Sequence, residues 1–521
     1  MLPPSWPSST VTRLDPQDEW KEGPVDVITR RNLESRAKRI LFVEPQSGYS
    51  TGFNDTVRVE TLGPEYLAAA VADVAECELA DLRVAGVDVV EHIYRFQPDI
   101  IALKCGYTTD VPVVADLARQ IKQIDRDLPI IVGGHHISLS PEDLYIPEID
   151  AIVYGEAEEV FPTLIQEMGG ARRLDRIPFL HYRDATGEFR STVPQREVSN
   201  VILHSDPGMN DRPMVQRELC DPYRDSYYFL YYPRPYSIET ARGCRYRCSF
   251  CSVWQFHGGT YKVEGWERTL REIERIPNGS YVNIVDDLAI QIMPHEDYHE
   301  SDAWKLANAL IENGNRRRFW MQCRADNIVR NKELYTRWAE AGLDMILVGL
   351  ESDDPAELKR VNKGSRVNVN EEAIEFLHSV GIKLWGAQIV FADWLHDKFD
   401  HLTEYNQRLG IECPQFTIHT PLPGTVDWQK YKDQLITQDR RYFDFLHPVL
   451  PTALPITEFI DRYVQLYREC HMGLGELTRM VREGVVPHEG VTRFLGKFRH
   501  LLDPATYQSA IDLHEGRVSR V

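Results

Sequence analysis

Three cysteines crowd into one short run near the middle of the chain. Cys244, Cys248 and Cys251 are spaced C-x-x-x-C-x-x-C within Ala-Arg-Gly-Cys-Arg-Tyr-Arg-Cys-Ser-Phe-Cys-Ser (241–252). Thiolates at this spacing on a tight loop reach three irons of a cubane 4Fe-4S cluster and leave the fourth iron without a cysteine. An iron with an open position is a place for chemistry. Gly243, just before the first cysteine, permits the sharp turn such a loop needs. A zinc knot is the competing reading, and it requires a fourth ligand at a regular offset. His257, six residues past Cys251, is the local candidate. The other six of the nine cysteines (Cys77, Cys105, Cys220, Cys323, Cys413 and Cys470) are dispersed and read as small buried hydrophobes.

A loop of this kind must be carried by a scaffold, and the sequence around it alternates short strands with helices. Six candidate strands stand at residues 237–241, 281–287, 319–324, 345–351, 384–390 and 415–420. Helix-length gaps separate them, which predicts a (β/α) array of the barrel kind with its chemistry at the strand C-termini. Residues 235–430 form this unit, and 431–521 read as a helical region. Ahead of it, β-branched runs at 39–44, 99–104, 129–134 and 151–156 predict a doubly wound parallel sheet over residues 38–190. Its Gly133, Gly134 and Gly155 fall just after strand ends, where such sheets bind ligands. Residues 1–37 read as an extended, proline-bearing arm, and 191–234 as a linker with some structure of its own.

Composition narrows the partners. With 521 residues the chain has room for about three domains. Lys and Arg total 59 against 79 Asp and Glu, a net charge of −20, which argues against nucleic acid and anionic lipid. No apolar run is long enough for a transmembrane segment. The N-terminus lacks the basic and apolar parts of a secretory signal, so a cytoplasmic location is expected, where disulfides are rare.

The triad, with Phe250 as the aromatic before its third cysteine, resembles the signature of the radical S-adenosylmethionine (SAM) superfamily, C-x-x-x-C-x-aromatic-C at the first strand of a partial (β/α)6 barrel. The resemblance implies that the open iron chelates SAM, whose reductive cleavage gives a hydrogen-abstracting 5′-deoxyadenosyl radical. It also implies an external one-electron reductant of flavodoxin or ferredoxin type. Asp286 and Asp287, ending the second strand, would hold the methionine amino end, and Arg324, ending the third, the carboxylate. Glu351, ending the fourth, would hold the ribose, with Gln388 on the fifth strand nearby.

The N-terminal region resembles the Rossmann-like cobalamin-binding domain of one branch of this superfamily, on Gly-Gly-His-His-Ile-Ser (133–138), Tyr-Gly-Glu-Ala-Glu (154–158) and Gly-Tyr-Thr-Thr (106–109). The resemblance implies that Thr108, Thr109, Gly133, Gly134, His135, Ser138, Gly155 and Glu156 line a cobalamin site. A dinucleotide domain is disfavoured because no G-x-G-x-x-G follows the first strand. The D-x-H-x-x-G motif that supplies histidine to cobalt elsewhere is missing, which leaves His135 and His136 as possible lower-face neighbours. The texture resembles the branch with hopanoid C-3 methylases, antibiotic C-methylases and the anaerobic magnesium-protoporphyrin ester cyclase. That branch implies methylation of an unactivated carbon in a small-molecule substrate, lipid-like or a secondary metabolite such as an antibiotic, with oxidation or cyclisation without methyl transfer as the alternative. Trp254 and His257 are the candidate substrate-side catalytic residues. Such a reaction requires the N-terminal domain to cap the C-terminal mouth of the barrel.

Overall fold

The computed structural model describes residues 38–46, 56–170, 172–194, 208–470 and 474–517. The arm expected over 1–37 and residues 195–207 of the expected linker lie outside the described residues. The N-terminal sheet comprises β1 (Lys38–Glu44), β2 (Ala75–Asp81), β3 (Ile100–Lys104), β4 (Ile130–Gly133), β5 (Ala151–Val153), β6 (Leu180–Arg183) and β7 (Phe189–Ser191). Their spatial order is β2-β1-β3-β4-β5-β6-β7, parallel through β5 and antiparallel beyond it. The expected strands coincide with β1, β3, β4 and β5. These are nearly continuous aliphatic runs because both faces are covered: Ile40 and Phe42 enter one core, Leu41 and Val43 the other. The edge strand β2, Ala-Glu-Cys-Glu-Leu-Ala-Asp, escaped the sequence reading because its first half is charged and only partly buried. An order of 2-1-3-4-5 places a ligand crevice at the carboxyl ends of the strands.

The second unit contains β8 (Tyr236–Ile238), β9 (Ala241–Gly243), β10 (Tyr261–Val263), β11 (Tyr281–Ile284), β12 (Arg318–Cys323), β13 (Leu343–Glu351), β14 (Lys383–Val390) and β15 (Cys413–Ile418). Six of them form one parallel sheet in the order β8-β11-β12-β13-β14-β15, with β8 and β15 at its edges. The expected first strand, 237–241, is cut short at Ile238. Thr240 donates from N and Oγ1 to Asp286 at 2.7 and 2.5 Å, and this clamp diverts the chain into an antiparallel β9–β10 hairpin. Alternate residues of β12 to β15 face opposite ways. Phe319, Met321, Ile346, Val348 and Leu350 pack in the core shared with the surrounding helices. Gln322, Leu347, Gly349, Ala387, Gln415 and Thr417 fall on alternating positions that keep partial exposure, so the inner face lines an open lumen. The strands' amino end is closed by a run read from sequence as linker: Phe229 packs on Trp320 and Trp385 at 5.1 and 5.8 Å, and Tyr232 stacks on Tyr281 at 3.9 Å.

An open barrel leaves two strand edges whose backbone groups need partners. At β15, the helix Ile456–Cys470 supplies tyrosines. Tyr467 Oη accepts from Phe416 N at 3.1 Å and donates to Phe416 O at 2.6 Å, and Tyr463 Oη donates to the same carbonyl at 2.7 Å. Replacing Tyr467 with phenylalanine strands the buried Phe416 N–H. The expected cost is about 1–3 kcal/mol, read as a lowered melting temperature of the anaerobic protein.

At β8, Ser237 N donates to Glu60 at 2.5 Å and Arg217 donates to Ser237 O at 3.0 Å. Glu60 carries a buried neighbour, Glu65, in the helix Leu62–Ala70. Burial, and then the Glu60 carboxylate, push the Glu65 carboxyl up to about 8. In the unfolded chain it ionises near pH ~4.3. Between those values the folded state keeps a proton that the unfolded state has lost, so stability falls as pH rises across the window. The Glu65→Gln variant is expected to flatten that fall and to melt above the parent at pH 8.

Candidate active site

The cysteine loop is bracketed by the β9–β10 hairpin. Gly243 has φ +87°, and a Cβ there would stand 2.4 Å from Thr260 O, so only glycine fits at the mouth of the loop. Backbone bonds pin the loop from both sides: Ser249 N donates to Val361 O at 3.0 Å, and Asp427 N donates to Ser249 O at 3.0 Å. Cys248 is buried; Cys244 and Cys251 are half-buried. The thiols sense one another. Burial, then Cys248, push the Cys251 thiol up to about 12, and burial also raises Cys244. A metal reverses this, since the ligating form is the thiolate. Arg324 lies beside Cys248, its Nη1 3.9 Å from Sγ. Trp254 donates from Nε1 to Cys248 O at 2.9 Å, which fixes the turn between the second and third cysteines. Phe250 packs against the barrel's aromatic core.

His257 does not serve as a fourth thiol-side ligand. Its Nε2 is 3.2 Å from Asp287 and its Nδ1 3.3 Å from Glu156. Burial works to lower its pKa, but the two carboxylates outweigh burial and hold it up to about 9, so it is an imidazolium at neutral pH. The same contact outweighs the burial of Asp287 and keeps that carboxyl below its ordinary value. The donor set therefore fits a three-cysteine cluster better than a zinc knot.

The residues expected around SAM divide into two groups. Asp286 gives both oxygens to Thr240, and burial pushes its carboxyl well above the ordinary range, so it holds the turn after β8. Asp287 stands nearer the cluster loop and accepts from Gly243 N at 3.2 Å. Arg324 donates to Asp326 at 2.8 Å and to Lys363 O at 2.7 Å, with its guanidinium 3.6 Å above the Tyr246 ring. Glu351 adopts φ +62°, rare for a residue with a Cβ, and accepts from Lys363 Nζ at 2.6 Å. Gln388, paired across the sheet with Glu351, is fully buried, and among the described residues its amide has no hydrogen-bond partner. Lys363 was missed in the sequence because Asn-Lys-Gly-Ser (362–365) reads as an ordinary solvated turn. It is in fact buried, and its charge acts on Cys244.

The residues expected around cobalamin gather at the carboxyl ends of β3, β4 and β5. Gly134 has φ +131°, and a Cβ would stand 2.6 Å from Cys105 O, so β3 and β4 end in close backbone contact. Ser138 Oγ donates to Gly134 O at 2.8 Å and accepts from Gly155 N at 2.9 Å, tying the turns after β4 and β5 together. Thr108 and Thr109 are buried, and Thr108 Oγ1 is 3.1 Å from His136 Nδ1. His136 Nε2 faces Asp143 at 3.0 Å, and Asp143 in turn receives both arms of Arg440 at 2.9 Å. His135 points elsewhere: its Nε2 is 2.8 Å from Ser252 Oγ, and its ring stacks on Phe256 at 4.6 Å. Burial lowers its pKa to about 4, so it is neutral.

A buried charged seam completes the junction between the two sheets. Arg242 donates to Glu156 at 2.8 Å, Glu158 at 2.6 Å and Glu239 at 2.9 Å, and Lys262 reaches Glu156 at 3.3 Å. Loops at the carboxyl ends of β4 and β5 thus touch the cysteine loop directly. Residues 54–165 match the B12 binding domain model, and residues 238–405 match the radical SAM superfamily model. The hopanoid C-3 methylase of Methylococcus capsulatus is 30% identical over 80% of this chain and 78% of its own length. The chain belongs to the family of cobalamin-dependent radical SAM enzymes.

Other relatives of this radical SAM enzyme fit the same frame. The anaerobic magnesium-protoporphyrin IX monomethyl ester cyclase of Rubrivivax gelatinosus is 24% identical over 83% of this chain and 77% of its own. The solved structure of OxsB, a cobalamin-dependent S-adenosylmethionine radical enzyme with aqua-cobalamin and S-adenosylmethionine bound, has a TM-score of 0.62. It covers 94% of this chain and 82% of that chain at 17% identity, a likeness of fold. The chain is a cobalamin-dependent radical SAM enzyme with methyltransferase relatives, and its cofactors are cobalamin, a 4Fe-4S cluster and SAM. Among the described residues no helix is long and apolar enough to cross a membrane.

Proposed function

We propose that this enzyme transfers a methyl group from SAM, by way of cobalamin, to an unactivated carbon of a small-molecule substrate of lipid-like or secondary-metabolite character. One observation supports the reading: the His135–Ser252 bond and the Arg242–Glu156 pair join the turns expected to face cobalamin to the run that carries the cysteines, so the two expected cofactor sites would adjoin. Bound together, the cofactors supply a transferable methyl group and a hydrogen-abstracting radical.

The chain's own residues do the positioning. Cys244, Cys248 and Cys251 would hold three irons, and Arg324 would lay its guanidinium along the sulfur of Cys248. The cationic His257 between Asp287 and Glu156 fixes the cluster loop against the corrin-side domain and is not free to take a proton. Trp254 keeps the loop's shape through its bond to Cys248 O. The roles first assigned to Trp254 and His257 as substrate-side residues therefore become positioning roles. In the lumen, Lys363 and Glu351 would meet the charged and hydroxyl groups of SAM.

The kinship with the porphyrin cyclase supports a second reading, oxidation or cyclisation without methyl transfer. Product analysis separates the two. Anaerobic turnover with a hopanoid acceptor and a chemical reductant is expected to give S-adenosylhomocysteine and 5′-deoxyadenosine in comparable amounts, together with a methylated product. Accumulation of 5′-deoxyadenosine and oxidised substrate without S-adenosylhomocysteine would establish the second reading instead.

A further inference from the structure

The cluster loop carries an exposed charge on its outer side. Arg247, between the first two cysteines, is exposed, with its guanidinium 5.5 Å from the Trp254 ring. The segment after β13 packs against it: Asn362 Nδ2 donates to Arg247 O at 2.7 Å, and Ser249 N donates to Val361 O at 3.0 Å. That segment brings two more exposed cations, Lys359 at the end of the helix Pro355–Arg360 and Arg366 at the start of the helix Val367–Ser379. Among the described residues none of these three makes an ion pair, whereas neighbouring Arg245 and Arg360 are matched by Glu296 and Asp393.

We propose that this rim is the docking surface for an acidic one-electron carrier protein, an inference that rests on the three cysteines holding the cluster. A chain of net charge −20 repels such a partner almost everywhere. Unpaired local cations beside the cluster reverse the field at the one place where close approach is productive, and steering of this kind raises association rates by about 10- to 1,000-fold. One electron leaves the carrier and enters the cluster, and no bond is made or broken.

The test uses the full-length protein with its cluster reconstituted. Flavodoxin hydroquinone is the protein donor, and photoreduced 5-deazaflavin, small and uncharged, is the reference. Stopped-flow reduction by flavodoxin is expected to slow about tenfold in K359E/R366E and in R247E, and to lose its salt dependence, while deazaflavin reduction and the reduced-cluster EPR signal stay as in the parent. Flavodoxin rates that ignore both the substitutions and ionic strength would overturn the docking surface. A parent protein that gives no reduced-cluster signal with deazaflavin would overturn the cluster assignment itself, and the proposal with it.

Discussion

Replacing Cys248 with alanine reduces SAM cleavage to background and strips the protein of its iron. Cys248 is the most enclosed of the three thiols, set beneath Arg324 and within a turn that Trp254 braces through its backbone carbonyl. Two remaining cysteines cannot hold a cubane against loss of an iron corner. Cys323 is the control. It is equally buried, but it lies in the core between strand and helix, with its thiol pushed up to about 12 by burial. The Cys323→Ala variant is expected to keep a full iron and sulfide content and an unchanged reduced-cluster EPR signal. Iron retained in Cys248→Ala would contradict the assignment of the loop.

A second large effect is expected at a residue with no functional group. Gly349 sits under the Lys363–Glu351 pair: a Cβ there would lie 2.5 Å from Glu351 Oε1 and 2.7 Å from Lys363 Nζ. Both distances are below any real contact, so Gly349→Ala must displace these two side-chain ends from their present places, and the effect expected is the loss of their pairing. A separated buried pair leaves each charge uncompensated, a costly state. Equilibrium binding of SAM to the anaerobic protein with its cluster left unreduced is expected to weaken by about 10- to 100-fold, equivalent to about 1.4–2.8 kcal/mol. Iron content should be unaffected. Gly63, where an added Cβ meets nothing within 4 Å, provides the matched substitution that should bind SAM as the parent does. Parental affinity in Gly349→Ala would remove Lys363 and Glu351 from the binding site.

Much of the scaffold was legible because its signals are local. Buried parallel strands need aliphatic runs on both faces, and β1, β3, β4 and β5 carry them. The barrel strands were found at the right places for the same reason, with ends displaced by a few residues. The hairpin β9–β10 was not legible, because it depends on Thr240 meeting Asp286 across the sheet. The tyrosine-rich run after the linker looked irregular, since its partners Trp320 and Trp385 are far along the chain. Glu351 was named from its strand end, but its left-handed backbone and its pairing with Lys363 follow from a register shift between Gly349 and Glu351 that no periodicity reveals.

The sequence by itself determined the proposed ligand set: three cysteines at a spacing that suits a tight loop, glycine at the entrance to that loop, and glycines at the strand ends of the first sheet. These are constraints between neighbours, so residue type and spacing carry them. Only the tertiary structure decided what the candidate side chains do. Trp254 and His257 became supports of the cluster loop, Asp286 a backbone clamp, and His135 a bridge to Ser252 across the domain junction. Apart from Trp254, whose partner lies in its own loop, each of those roles depends on where a distant segment places its hydrogen-bonding groups. A buried polar atom must find a partner, and which partner it finds is settled by packing over separations of tens to more than a hundred residues.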